Sequence, residues 1–150
     1  MARLHLEGSY ELAAPVAKIW EFVSNPEKIA NCLPGLERFE LTNARNFTVT
    51  LKLGISFVRG SLHFSFKLLD QIPPSYSRFE AIGKGAGVSV SLSASMQLVD
   101  SGNGTTQLNW NSDADLGGLL AELSPSLIKN STDKFTREFF DSVKRQVSLG

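Results

Sequence analysis

From Leu4 to Leu12 the chain alternates: Leu4, Leu6, Gly8, Tyr10 and Leu12 share one side, and His5, Glu7, Ser9 and Glu11 the other. A period of two predicts a strand with one covered and one wet face. The same alternation assigns inward sets to the later strands. They are Phe39 and Leu41; Phe47, Val49, Leu51, Leu53 and Ile55; Leu62, Phe64, Phe66 and Leu68; Phe79 and Ala81; Val88, Val90, Leu92, Ala94, Met96 and Leu98; and Leu108, Trp110, Ser112 and Ala114. The period turns helical in two places. After the first strand, Pro15 opens a short helix carrying Ile19, Trp20 and Val23, and Asn25 caps a second that starts at Pro26. After "GG" at 117–118, Ser124 and Pro125 open a long helix on which Leu127, Ile128, Ser131, Phe135, Phe139, Val143 and Val147 recur at helical spacing. This order predicts an α+β architecture in a single domain, 1–150: a curved antiparallel sheet of about seven strands wrapped around a long C-terminal helix, with two short helices after the first strand.

The second short helix runs into "CLPG" at 32–35. Pro34 fixes its own φ and pushes Leu33 out of the helical region, and Gly35 accepts a positive φ, so Leu33 to Leu36 suits a type II turn. Wrapping of the sheet should bring this turn beside the mouth of any interior space, with Leu33 as its gate. Cys32 reads as a small buried hydrophobe rather than a nucleophile, because both histidines fall on outward positions.

Strand parity also tests for catalysis, since only covered side chains line an interior. His5, Lys52, Arg59, His63, Lys67, Arg78, Glu80 and Lys84 all alternate with the apolar set. Asp113 and Asp115 share the outward parity of Asn109 and Asn111. Glu37, in register with Phe39, is the one ambiguous carboxylate and reads as a strand-end solvent residue. Two histidines and one cysteine make a poor metal set, and "GKGAG" lies among strands rather than before a helix N-terminus. No catalytic residue, metal or required cofactor is expected.

Fifteen basic and fifteen acidic side chains balance, which argues against nucleic acid as a partner. A lone cysteine and a start without an apolar leader point to the cytoplasm, and no apolar stretch has the length of a bilayer span.

Gly83, Gly85 and Gly87 continue the covered stripe begun by Phe79 and Ala81, so side-chain volume vanishes along it. If the turn at "SGNG" pairs Leu98 with Leu108, Ala94 comes opposite Ser112 and Leu92 opposite Ala114, adding small residues to the same region. Two readings stand: a hollow that takes an apolar ligand, or a site of close helix approach. The walls of a hollow would be Tyr10, Phe64, Phe66, Phe79, Ala81, Gly83, Val90, Met96, Trp110, Ser112 and Phe139, with Tyr10, Trp110 or Ser112 orienting the ligand by hydrogen bonds. The competing role for each is ordinary core packing. The favoured function is non-enzymatic binding of a hydrophobic, aromatic or prenylated small molecule.

The stretches "GSYELAAPVAKIWEFVSNPEKIANCLPG", "GKGAG", "TTQLNWNSDADLGGLLAEL" and "FTREFF" resemble the family of the carbon monoxide dehydrogenase G subunit, within the helix-grip superfamily of START-like, lipid-transfer and pollen-allergen-like domains. The resemblance implies a helix-grip fold, a quinone as candidate ligand and a carbon monoxide dehydrogenase-like molybdenum hydroxylase as partner. It also implies peripheral contact at the inner face of the membrane. The chain ends at "VKRQVSLG" without the tail expected of longer members, which sets a soluble-carrier role beside membrane recruitment. The rivals are a helix-grip enzyme of cyclase or hydrolase type, needing a titratable residue inside, and an assembly or membrane-recruitment factor with a filled core.

Overall fold

The strands pair antiparallel, with register shifts only at Leu36/Arg38, Leu41/Asn43, Leu68/Asp70 and Asp100/Gly102, and together make one sheet of seven strands in the order β1-β7-β6-β5-β4-β3-β2. This computed structural model describes residues 2–149, without the side chains of Ala2, Ser148 and Leu149, so the expectation about a tail beyond the last helix lies outside the described residues. The strands are β1 (Ala2–Leu12), β2 (Leu36–Asn43), β3 (Asn46–Ile55), β4 (Val58–Ile72), β5 (Tyr76–Gly85), β6 (Val88–Gly102) and β7 (Thr105–Gly118). Helices α1 (Val16–Val23) and α2 (Pro26–Ala30) come after β1, and α3 (Pro125–Leu149) comes after a 3₁₀ turn at Leu119–Glu122. The predicted pairing holds: Leu98 lies opposite Leu108, Ala94 opposite Ser112 and Leu92 opposite Ala114.

Local chemistry sets each change of direction. Thr106, fully buried, donates its hydroxyl to the Ala14 carbonyl at 2.7 Å and so fixes where the chain leaves β1 for α1. The Asn25 side chain accepts from the backbone N–H groups of Glu27 and Lys28, capping α2 with Pro26 at its first position. At "CLPG" the Leu36 N–H reaches the Leu33 carbonyl at 3.4 Å and Gly35 has φ of +76°, the expected type II turn. Lys52 N–H then donates to the Gly35 carbonyl at 2.8 Å, and a Cβ on residue 35 would lie 2.9 Å from the Lys52 carbonyl oxygen. The turn is strapped to β3, and only glycine fits there. Ser124 Oγ accepts from the Leu127 N–H and opens α3 as expected.

The covered face does not pack into one core. A first cluster joins Leu12, Ile19, Cys32, Leu98, Leu108, Phe140, Val143 and Val147, binding α1 and the C-terminal half of α3 to one end of the sheet. A second joins Val58, Leu62, Val88, Leu116, Leu120, Leu123 and Ile128 at the other end, beneath the start of α3. A third sets Ala30 of α2 on Phe47, Val49 and Leu51 of β3. Small domains usually have a single contiguous core. Here three separate clusters ring the middle of the sheet.

Three inward assignments differ from expectation. Leu41 is 58% exposed, because the edge strand β2 runs on past the cover that α2 supplies. Phe140, rather than Phe139, is the buried ring of the "FF" pair. Phe135 is 38% exposed despite its place in the apolar stripe of α3, since it belongs to none of the three clusters.

Candidate functional site

One transverse row crosses the covered face through five strands: Leu6 of β1, Ser112 of β7, Ala94 of β6, Phe79 of β5 and Leu68 of β4, each directly opposite the next. Leu6, Phe79, Leu92, Ala94 and Phe135 belong to none of the three clusters. The first four stay half-buried although they face inward. Strand parity brings them to one face, where Ala94 and Ser112 contribute little side-chain volume. This less tightly covered apolar middle of the face is the candidate gap for a ligand.

Most of the predicted wall residues pack on the clusters that border this middle row. Tyr10, Met96, Trp110 and Phe139 pack on the rim of the first cluster. Phe64 and Val90 pack on the second, while Phe66, Leu33 and again Phe64 pack on the third. An aromatic floor leads in from the sheet edge: Phe39 lies 5.8 Å from Phe47, Phe47 stacks on Phe66 at 4.7 Å, and Phe66 lies 5.7 Å from Phe79 between ring centroids. Ser112 lies half-buried in the central row, and Ala81 is 2% exposed beside it.

Gly83 needs a correction. Its missing side chain leaves no void, because the Phe64 ring occupies the space: a Cβ on residue 83 would stand 2.6 Å from Phe64 Cε1. Gly85, with φ of +137°, lies against the Ser61 backbone. The glycine stripe therefore supplies no free space at Gly83. Gly83→Ala should therefore cost about 1–3 kcal/mol by overpacking Phe64, read as a shift of the urea midpoint; an unchanged midpoint would show that the ring turns aside freely.

On the first-cluster side, Phe140 stacks on Tyr10 at 4.3 Å and on Trp110 at 5.7 Å, and Phe139 meets Phe140 edge-on at 5.0 Å. Sequence spacing pointed to Phe139; the signal for Phe140 was its own spacing to Val143 and Val147. The Trp110 indole lies over Gly8, and its Nε1–H is buried without a hydrogen-bond partner. Burial raises the Tyr10 phenol, reinforced by the Asp141 charge against Arg137. Burial likewise pushes the Cys32 thiol up, against a hydrogen bond with Ser142 and the charge of Arg145, so this cysteine stays protonated at neutral pH. Cys32 enters the first cluster and its neighbour Leu33 the third, so the "CLPG" turn spans two of the walls.

Ionisable groups lie on the other face of the sheet. His5, Lys52, Arg59, His63, Lys67, Glu80 and Lys84 are exposed, and Arg78 binds Asp70 at 2.8 Å. Glu37 is exposed and accepts a hydrogen bond from Ser61 Oγ at 2.8 Å, so it is the strand-end solvent residue expected. Among the described residues no group of histidine, cysteine and carboxylate side chains is placed to hold a metal. Asp113, paired across the strands with His5 at 2.7 Å, raises the imidazole above its ordinary value of 6.5 through that hydrogen bond, with smaller help from charge and from Glu7. Its stabilisation is complete below the unfolded pKa and is lost as pH rises through the folded one. Asp113→Asn should return the imidazole toward its ordinary value in an NMR titration, and an unmoved titration would remove the pair as its cause.

Two depressions are defined on the molecule. One of about 520 Å³ runs over β1, β7 and β6 between Glu7, Ser9, Asn109, Asn111, Ser95 and Gln97, and the other, of about 440 Å³, lies between Gly35, Lys52, Gly54 and Arg59. The first mixes polar side chains with Tyr76, Met96 and Trp110, so two of the predicted wall residues line it.

Residues 8–148 match the CoxG family, that of the carbon monoxide dehydrogenase G subunit. The chain belongs to that family. Among solved structures, a conserved protein from Geobacillus kaustophilus superposes with a TM-score of 0.91 at 23% identity, over 97% of this chain and 96% of its own. A START superfamily protein from Mycobacterium smegmatis gives 0.74 at 12% identity, covering 97% of each chain. The ZhuI aromatase/cyclase from a Streptomyces species gives 0.71 at 16% identity, over 98% of this chain and 94% of its own. These likenesses establish the START-like helix-grip fold. No curated protein matches the chain. No helix among the described residues is long and apolar enough to cross a membrane.

Proposed function

We propose that this CoxG family member binds an apolar small molecule of the quinone class in the gap under α3, without transforming it, as carrier or accessory to a carbon monoxide dehydrogenase-like molybdenum hydroxylase. The observation that carries the reading is the central row Leu6, Ser112, Ala94 and Phe79, inward and half-buried where a filled core would be dry. A flat aromatic head suits the floor of Phe66 and Phe79, because offset stacking adds to apolar burial. Burying about 300 Å² of ligand at about 25 cal/mol per Å² supplies about 7 kcal/mol before the costs of association. The strand residues facing the gap carry no carboxylate or imidazole, which favours binding over proton-transfer chemistry. The test is native mass spectrometry after incubation with menaquinone and ubiquinone analogues, with circular dichroism as the check on folding. A retained analogue at unit stoichiometry is expected. A folded chain that retains neither removes the quinone reading, and a gap filled by moving side chains would favour an assembly factor.

A further inference from the structure

Strand register explains the shape of the depression of about 520 Å³. Glu7 of β1, Asn111 of β7 and Ser95 of β6 stand opposite one another across the sheet, and two residues along each strand so do Ser9, Asn109 and Gln97, with Tyr76 of β5 ending the second row. Both rows have outward parity. Between them the row Gly8, Trp110 and Met96 has the opposite parity, so its backbone is the floor of a groove on the outer face. The rows stand about 7 Å apart and four strands span about 14 Å, which makes the groove elongated. Its walls are amides and hydroxyls, with Glu7 as the one ion, and no lysine or arginine lines it. Ser9 donates its hydroxyl to Asn109 Oδ1 at 2.5 Å. Among the described residues Ser95, Gln97 and Asn111 make no side-chain hydrogen bond, so their hydrogen-bonding groups are open to a ligand.

We infer that this groove binds a neutral saccharide chain, whose hydroxyls exchange hydrogen bonds with Asn109, Asn111 and Gln97 while the Tyr76 ring covers an apolar sugar face at one end. The chemistry of the walls selects this ligand. A side-chain amide both donates and accepts, and so does a sugar hydroxyl, so each can satisfy the other without a charge. Glu7 accepts from a hydroxyl in the stronger, charge-assisted form. An anion would meet Glu7 and find no cation in the walls. A hard metal ion needs six to eight oxygens, and among the described residues no group of side chains is placed to hold one. An extended peptide takes its affinity from main-chain pairing at a sheet edge. Here Trp110 is paired to Gly8 and Met96, and Met96 to Trp110 and Ser77, so the floor has no free strand edge to offer. The inference goes beyond binding in the gap and does not depend on it, because the groove lies on the other face of the sheet and is read without any quinone present.

The test is titration of the full chain with maltotriose, cellotriose and chitotriose, followed by the side-chain amide NMR signals of Asn109, Asn111 and Gln97, with trialanine and inorganic phosphate as comparison probes. At least one trisaccharide should move these signals to saturation, and neither comparison probe should move them. Gln97→Ala and Asn111→Ala should each weaken the binding about fivefold, the worth of one hydrogen bond, and Tyr76→Ala about tenfold. Gln97 and Asn111 are exposed, so those two variants keep the fold, and circular dichroism checks all three. No saturable shift with any of the three trisaccharides, an equal response to trialanine or phosphate, or Gln97→Ala and Asn111→Ala variants that bind like the parent would overturn the inference.

Discussion

Replacing Phe140 with alanine is expected to lower the unfolding free energy by about 3–5 kcal/mol, the range for a buried phenylalanine. Phe140 is 7% exposed and is the ring through which α3 holds the sheet, stacked on Tyr10 of β1 and close to Trp110 of β7. Removing it leaves a cavity between those rings that neither can fill, because both belong to strands fixed by pairing on each side of Gly8 and Leu108. The neighbouring Phe139 is only half-buried and meets Phe140 through one edge, so Phe139→Ala should cost about 1–2 kcal/mol. Urea unfolding of the two variants decides the matter. Equal losses would mean that the helix is anchored by both rings and that the three-cluster division of the core is too sharp.

The fold was legible because its signals are local and repeated. Alternation over long strands, Pro26 behind Asn25, and glycines in the "SGNG" turn each restrict the backbone independently, and they agree. Register followed from one hairpin: once Leu98 opposes Leu108, a period of two places Ala94 against Ser112 with no further freedom. Choices that depend on side-chain direction across the interior were not legible. In "FF" both rings lie within one helical step of the apolar stripe, and only the position of Tyr10 and Trp110 decides for Phe140. At Gly83 the pattern correctly reports a missing side chain, but whether ligand or protein fills the space depends on the Phe64 rotamer. Leu41 followed the strand period, yet nothing in its neighbours says that α2 stops short of it. Small residues do mark the half-buried middle row, where Ala94 lies opposite Ser112.

Two alanines on neighbouring strands then separate an open centre from a filled one. Ala81 of β5 is 2% exposed, directly opposite Phe66 and Leu92, so a larger side chain has nowhere to go. Ala81→Phe should lose about 3 kcal/mol or more, at the upper end of overpacking costs. Ala94 of β6, opposite Phe79 and Ser112, is half-buried and joins no cluster. Ala94→Phe places a ring in the gap itself and should keep the parent stability within about 1 kcal/mol, since it displaces solvent rather than protein atoms. The same ring takes the space an apolar ligand needs. Loss of about 100 Å² of buried contact, at about 25 cal/mol per Å², weakens binding by about 2.5 kcal/mol, or nearly a hundredfold. Paired unfolding and quinone-analogue titrations measure both quantities on one preparation. A destabilised Ala94→Phe would show a closed centre with no room for cargo. A stable variant that binds as tightly as its parent would move the ligand away from the central row and toward the aromatic floor at Phe47 and Phe66.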